Sequence, residues 1–145
     1  MIHCLTFRVR YAETDQMGAL SSARALEWFE FGRTEWLRAA GLAYSRMEAQ
    51  GLFLPVVEAN CRYIRRVRFD DGIVLRTRLS DVGRASIRFD YQAVLDGPAG
   101  DAEVVAGWTT HAFVDAKGQI VRPPGEVVRV LRGLVREDAS GQPGA

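Results

Sequence analysis

Residues 23–40 read ARALEWFEFGRTEWLRAA, and the spacing of their apolar side chains sets the architecture. Ala25, Trp28, Phe29, Gly32, Trp36, Ala39 and Ala40 recur at helical intervals, which predicts a helix from Ala23 to Ala40. Leu26, Phe31 and Leu37 widen that stripe beyond an ordinary surface helix, so most of its circumference is expected to be covered. Arg24, Glu27, Thr34 and Arg38 supply the wetter side. Gly41 stands where a C′ glycine ends a helix, and Ser21 or Ser22 is the expected N-cap.

Working outward, Ile2 to Tyr11 alternates with period two, with Leu5, Phe7, Val9 and Tyr11 on one face and Thr6, Arg8 and Arg10 on the other. That is a strand with one buried face. Ala12 to Ser22 is polar, contains Gly18 and reads as a loop. A short second helix is expected over Tyr44–Gln50, ending at Gly51. Strands follow over Leu52–Arg65, Gly72–Val82, Ser86–Leu95 and Ala102–Asp115, with tight turns at Gly83-Arg84-Ala85 and Asp96–Asp101. Pro55 suits an edge or a strand start. A short helix over Glu126–Arg136 closes the domain, residues 1–137, and 138–145 is expected as a flexible tail. Neighbouring strands joined by tight turns pair antiparallel, so the expected fold is α+β, an antiparallel five-stranded sheet around one long helix.

Composition bounds the function. The chain has 145 residues, 48% hydrophobic and 26% charged, a balance that fits one domain. Net charge is +1, so no overall pull towards nucleic acid or membrane is expected. No signal peptide or spanning stretch of ~20 apolar residues is visible, and a cytoplasmic location is expected. Cys4 and Cys61 lie far apart within strand-like runs and read as buried thiols rather than a disulfide. Two scattered cysteines and two scattered histidines form no ligand cluster, so no metal or cofactor is expected.

The segment Tyr11-Ala12-Glu13-Thr14-Asp15-Gln16-Met17-Gly18, followed by Trp28-Phe29-Glu30-Phe31-Gly32-Arg33-Thr34-Glu35-Trp36-Leu37, resembles the 4-hydroxybenzoyl-CoA thioesterase-type family of hot-dog proteins. Val57, Tyr63 and Asp71 also fall where that family places a valine, a tyrosine and an acidic turn residue. The resemblance implies a hot-dog fold and acyl-CoA thioesterase activity. It maps the catalytic carboxylate onto Asp15 and the amide that polarises the thioester carbonyl onto Ser22 or a neighbour. It also implies a homodimer or homotetramer with the active site at a dimer interface, the strand after the helix pairing with its twin. The chain departs from the family at Ser21-Ser22-Ala23-Arg24-Ala25, where relatives carry Tyr-His-Ala-Asn-Tyr, and at Arg66, where they carry proline.

Thioester hydrolysis needs a group that attacks the carbonyl or activates water, and donors for the developing oxyanion. A carboxylate supplies the first, and unpaired amides opening a helix supply the second. Asp15 lies a few residues ahead of the helix, with Gly18 between them as part of the substrate-binding loop; the plainer reading of Asp15 is an Asx-turn. Glu13 is a possible second acid, more simply a structural one paired with an arginine. Ser21 and Ser22 lack a nucleophile-elbow setting and read as caps. His3 and His111 read as core or interface residues. The fifth residue beyond Asp15 is Leu20, which argues against hot-dog hydratases with a histidine there. Arg62, Arg65, Arg66, Arg84 and Arg88 are candidates for the phosphates of CoA, against a plain solvated strand face. The alternative to an enzyme is a non-catalytic acyl-CoA or acyl-carrier-protein binding module in the same groove.

Overall fold

The computed structural model describes residues 1–98 and 102–141, with side chains in the last helix described as far as 136. The elements are β1 (Ile2–Arg8), a 3-10 turn (Tyr11–Glu13), α1 (Arg24–Ala39), α2 (Tyr44–Ala49), β2 (Val56–Tyr63), β3 (Gly72–Val82), β4 (Ser86–Leu95), β5 (Glu103–Ala112) and α3 (Gly125–Gly141). The five strands form one antiparallel sheet in the order β1-β3-β4-β5-β2. This is the expected α+β hot-dog architecture. It differs from the sequence expectation in one connection. β2 does not pair with β3, which follows it, but crosses to the free edge of β5, and residues 64–71 carry the chain back to β3. The hairpins β3-β4 and β4-β5 use both edges of β4, and β1 takes the other edge of β3, so the open edges are those of β1 and β5, and β2 takes that of β5.

The apolar stripe of α1 lies on the sheet. Trp28, Phe29 and Trp36 are buried. Phe29 stacks on Tyr91 at 4.3 Å, Trp36 meets Phe89 edge-on at 5.4 Å, and Phe7 meets Trp28 at 5.1 Å. Each such ring contributes about 1.5–3 kcal/mol by burial. The inner-facing Ile73, Leu75, Leu79, Ile87 and Phe89 complete the core. Gly32 allows the close approach, since a Cβ there would lie 2.4 Å from Thr77 Oγ1. At its C-terminus α1 ends as expected at Gly41, with φ of +78°. The Gly41 and Leu42 N–H groups return to the Arg38 and Leu37 carbonyls at 3.1 and 2.8 Å, which is a Schellman motif.

Five local expectations are corrected. One sheet covers one side of α1, so Leu26 and Phe31 stay exposed on the single chain. Neither serine caps the helix by its side chain, because Ala23 at the N-cap is already helical (φ −66°, ψ −27°). β1 stops at Arg8, and Tyr11 turns outward into the 3-10 turn, 78% exposed. Cys4 is exposed, because it falls on the outer period-two face with Ile2, Thr6 and Arg8, and Cys61 is only half-buried on an edge strand. Finally, α3 runs to Gly141, four residues into the segment expected as a tail. Residues 142–145, and 99–101 of the expected turn, lie outside the described residues.

Candidate active site

The loop between β1 and α1 folds into a small hairpin. The Ser21 N–H donates to the Glu13 carbonyl at 2.7 Å and the Asp15 N–H to that of Ala19 at 2.8 Å, while Thr14 bridges Leu20. Gly18, with φ of +74°, closes the tip and donates its own N–H to the Asp15 carbonyl at 3.0 Å. The positive φ is the conformation this turn requires of its glycine. The outer arm is sewn to the crossover by the Leu20 N–H donating to the Val67 carbonyl at 2.9 Å and by a bridge from Ala19 to Arg68.

Glu13 anchors this hairpin from below. It is buried, accepts from Trp28 Nε1 and the Arg10 N–H, both at 2.8 Å, and has the Arg10 guanidinium at 3.6 Å. A buried carboxylate with charge-assisted partners on α1 and on the incoming chain fixes the loop against the helix. It takes the structural role. The sequence did not disclose that Trp28 supplies its donor, because an indole in an apolar stripe looks like core alone.

Asp15 sits at the hairpin tip and is exposed on the single chain. Its Oδ1 accepts the Met17 and Ala19 N–H groups at 2.9 and 3.2 Å, the Asx-turn of the plainer reading. Those two bonds use one oxygen and hold the carboxylate plane. Oδ2 carries no hydrogen bond among the described residues. Asp15 lines a cavity of about 270 Å³ together with Met17, Leu20, Tyr63, Arg65 and Arg66. The Tyr63 hydroxyl donates to the Ser22 carbonyl, so one side chain spans from the Asp15 cavity to the start of α1. Burial, then Cys61, push the Tyr63 phenol up to about 12, and it stays a protonated donor at neutral pH. The Ser22 and Ala23 N–H groups have no hydrogen-bond acceptor among the described residues. Tyr63 was legible only as a residue in the family's tyrosine position; its reach to Ser22 was not.

The five candidate arginines do not gather. Arg65 and Arg66 border the Asp15 cavity. Arg62 and Arg88 face the opposite, outer side of the sheet, in a depression of about 480 Å³ with Arg76, Arg78, Asp90 and Trp108. There Arg88 binds Asp90 at 3.0 Å and lies 4.5 Å over the Trp108 ring. Arg84 belongs to the β3-β4 turn, at the other end of β3 from Gly72, roughly 30 Å away at ~3.3 Å per residue.

A second cavity of about 260 Å³ opens at that far end, among Glu30, Arg33, Tyr44, Leu54, Val56 and His111. From His111 a buried chain runs inward, with Thr109 Oγ1 to His111 Nε2 at 2.8 Å and Tyr91 Oη to Thr109 Oγ1 at 2.6 Å. His111 Nδ1 lies 3.0 Å from the Leu54 carbonyl, which only accepts, so the proton sits on Nδ1. His111 is thus the core residue expected from its strand. Burial lowers its pKa from 6.5 to about 4, with Arg33 adding to the effect against the Leu54 bond. The unfolded chain then binds a proton near pH 6.5 that the folded chain refuses until about pH 4. Stability should fall with acidification across that window, by about 3 kcal/mol in total. Urea unfolding at pH 7 and pH 4.5 checks this, and His111→Gln should remove that part of the slope.

Among the described residues no group of three or more acidic, histidine or cysteine side chains could hold a metal ion, and no helix is long and apolar enough to cross a membrane. The Thioesterase-like superfamily model matches residues 9–131. A Bacillus subtilis protein provisionally named acyl-CoA thioesterase YneP is 36% identical over 107 residues, 74% of this chain and 75% of its own. The solved structure of the hypothetical protein TT1821 from Thermus thermophilus is 33% identical with a TM-score of 0.84, covering 92% of this chain and 98% of its own. The DHNA-CoA thioesterase of Staphylococcus aureus, at 20% identity, shares the fold with a TM-score of 0.89 over 99% of this chain and 97% of its own. With the sheet wrapped on α1 and the family match running from the end of β1 into α3, the chain belongs to the Thioesterase-like superfamily and is a thioester hydrolase of hot-dog fold.

Proposed function

We propose that the protein is an acyl-CoA thioesterase in which Asp15 performs the chemistry and the amides opening α1 hold the oxyanion. The observation that carries this is the shared cavity. Tyr63 lines it beside Asp15 and also touches Ser22, whose N–H is free to donate. A thioester carbonyl placed on the Ser22 amide develops its negative charge at the positive end of the helix. Asp15 Oδ2 then acts in one of two balanced ways. It attacks the carbonyl carbon, expelling CoA thiolate and leaving an anhydride that water hydrolyses. Alternatively it takes a proton from water as the water oxygen attacks the same carbon; the tetrahedral intermediate then collapses, its C–S bond breaks, and the departing CoA thiolate takes that proton. Arg65 and Arg66 at the cavity rim meet the phosphate-bearing end of the substrate.

β2 supports a homodimer, and a tetramer would be built from two such pairs. It is an edge strand with Val56, Val57 and Tyr63 exposed and no neighbour beyond it among the described residues. Such an edge is a template for another strand. A two-fold pairing of β2 with its copy is antiparallel, so it lays the Asp15 end of one subunit beside the Val56 end of the other. The activity belongs in the cytoplasm, where acyl-CoA substrates are found. Hydrolysis of a panel of aliphatic and aromatic acyl-CoAs, read with a thiol reagent, tests the activity. Turnover of at least one member is expected, and none across the panel would end this reading.

A further inference from the structure

No side chain caps the start of α1, so the backbone there must be held by other means. The two amides left free, those of Ser22 and Ala23, ride on successive peptide planes. A trans peptide is planar with its N–H opposite its C=O, so whatever holds the carbonyl of a plane also aims its amide. The Ser21–Ser22 plane is held by the Arg24 N–H, which donates to the Ser21 carbonyl at 3.0 Å. The Ser22–Ala23 plane is held from 41 positions away, by the Tyr63 hydroxyl donating to the Ser22 carbonyl.

Tyr63 has a firm base for this. It pairs with Val105 in the register of β2 on β5, and the next two amides, of Ile64 and Arg65, donate to the Val104 carbonyl at 2.9 and 3.1 Å. Its ring, however, is 53% exposed on the single chain, so packing alone does not set where the hydroxyl points. A second contact does. Cys61 lies two residues back on the same face of β2, and its thiol is hydrogen-bonded to Tyr63. Counting protons fixes the direction. A phenol has one and a carbonyl only accepts, so the Tyr63 proton goes to Ser22 and the Cys61 S–H donates to the Tyr63 oxygen. Burial pushes the Cys61 thiol up, against the Tyr63 bond, so it keeps that proton at neutral pH.

Resting on the acyl-CoA reading above, we propose that Cys61 and Tyr63 are positioning residues. A hydrogen-bond chain from the Cys61 thiol through the Tyr63 hydroxyl to the Ser22 carbonyl holds the amides opening α1 in the orientation that receives the thioester oxygen. Neither side chain reacts. Their contribution is preorganisation, which counts most as negative charge develops on that oxygen and little when the neutral substrate binds.

Tyr63→Phe keeps the ring and removes the hydroxyl. It should lower kcat by about tenfold, the scale of one hydrogen bond, with KM little changed. S-trifluoroacetonyl-CoA, whose hydrated ketone presents a tetrahedral oxygen, should bind this variant about tenfold more weakly than the parent. A CoA thioether with no carbonyl should bind both equally. Cys61→Ala should lower kcat in the same way but by less, since a thiol is the weaker donor, and should cost nothing further in the Tyr63→Phe background. Cys61→Ser keeps a donor and should fall between Cys61→Ala and the parent. A full kcat in Tyr63→Phe, equal weakening of both analogues, or an additive Cys61→Ala loss in the Tyr63→Phe background would overturn the chain. The nitrogen-15 amide shifts of Ser22 and Ala23 in the resting protein should also move in Tyr63→Phe, and unmoved shifts would overturn it as well. That readout needs no turnover. It decides the positioning even where the parent protein hydrolyses no member of the panel, a result that ends the hydrolytic reading alone.

Discussion

Asp15→Asn should lower the rate of acyl-CoA hydrolysis by at least ~10²-fold while leaving the protein folded. The Asn amide oxygen can still accept the Met17 and Ala19 N–H groups, so the turn that Oδ1 maintains survives. What changes is the other atom. An amide nitrogen in place of Oδ2 can neither attack a thioester carbon nor take a proton from water. The substitution therefore separates the two roles that meet in this one side chain. Asp15→Ala would mix them, because it removes the turn's acceptor as well. The readouts are the steady-state rate on the best substrate of the acyl-CoA panel and a melting temperature. A full rate in the Asn variant would assign Asp15 to the turn alone.

Gly107→Ala should cost about 3 kcal/mol, the upper end of what overpacking usually costs. A Cβ on Gly107 would lie 2.0 Å from the Asn60 carbonyl oxygen and 2.9 Å from Phe29 Cε2. Neither can yield easily. Asn60 is backbone of β2, and Phe29 is buried and stacked on Tyr91. Relief requires β2 to move away from β5, which also shifts Tyr63 and the edge proposed to pair with a second copy. The expected result is a lower urea midpoint with an unchanged slope, together with a weaker dimer in sedimentation. Gly133→Ala is the control. That glycine is within α3 with nothing within 4 Å of the added carbon, so alanine should be neutral or stabilise by up to about 1 kcal/mol. A harmless Gly107→Ala would mean that β2 is held far more loosely than its register implies.

Much of the fold was legible because it is written in local periodicity. The apolar spacing from Ala25 to Ala40, the Gly41 stop and the short turns between β3, β4 and β5 each act within a few residues. The hairpins they specify admit few topologies. Tyr11 and the two serines were misplaced for the opposite reason, whereas the exposure of Cys4 was already written in the period-two alternation that puts it on the face of Thr6 and Arg8. Where a strand stops, and whether a helix entry is already wound, depends on contacts that local pattern does not encode. The site divides the same way. The Asx-turn of Asp15 was legible through its residue type and the Gly18 that follows it. The Glu13–Trp28 anchor and the Tyr63–Ser22 bond join residues 15 and 41 positions apart, so no local pattern announces them.

The sequence by itself determined the elements and their antiparallel character, because each follows from side-chain period or turn chemistry. Tertiary structure alone decided that β2 leaves its neighbour in sequence for the edge of β5, and that within one subunit Arg65 and Arg66 line the Asp15 cavity while Arg62, Arg84 and Arg88 do not. A strand's partner is chosen by whichever edge the rest of the sheet leaves open. A charged residue's face is set by the register of that pairing, and one residue of register reverses it.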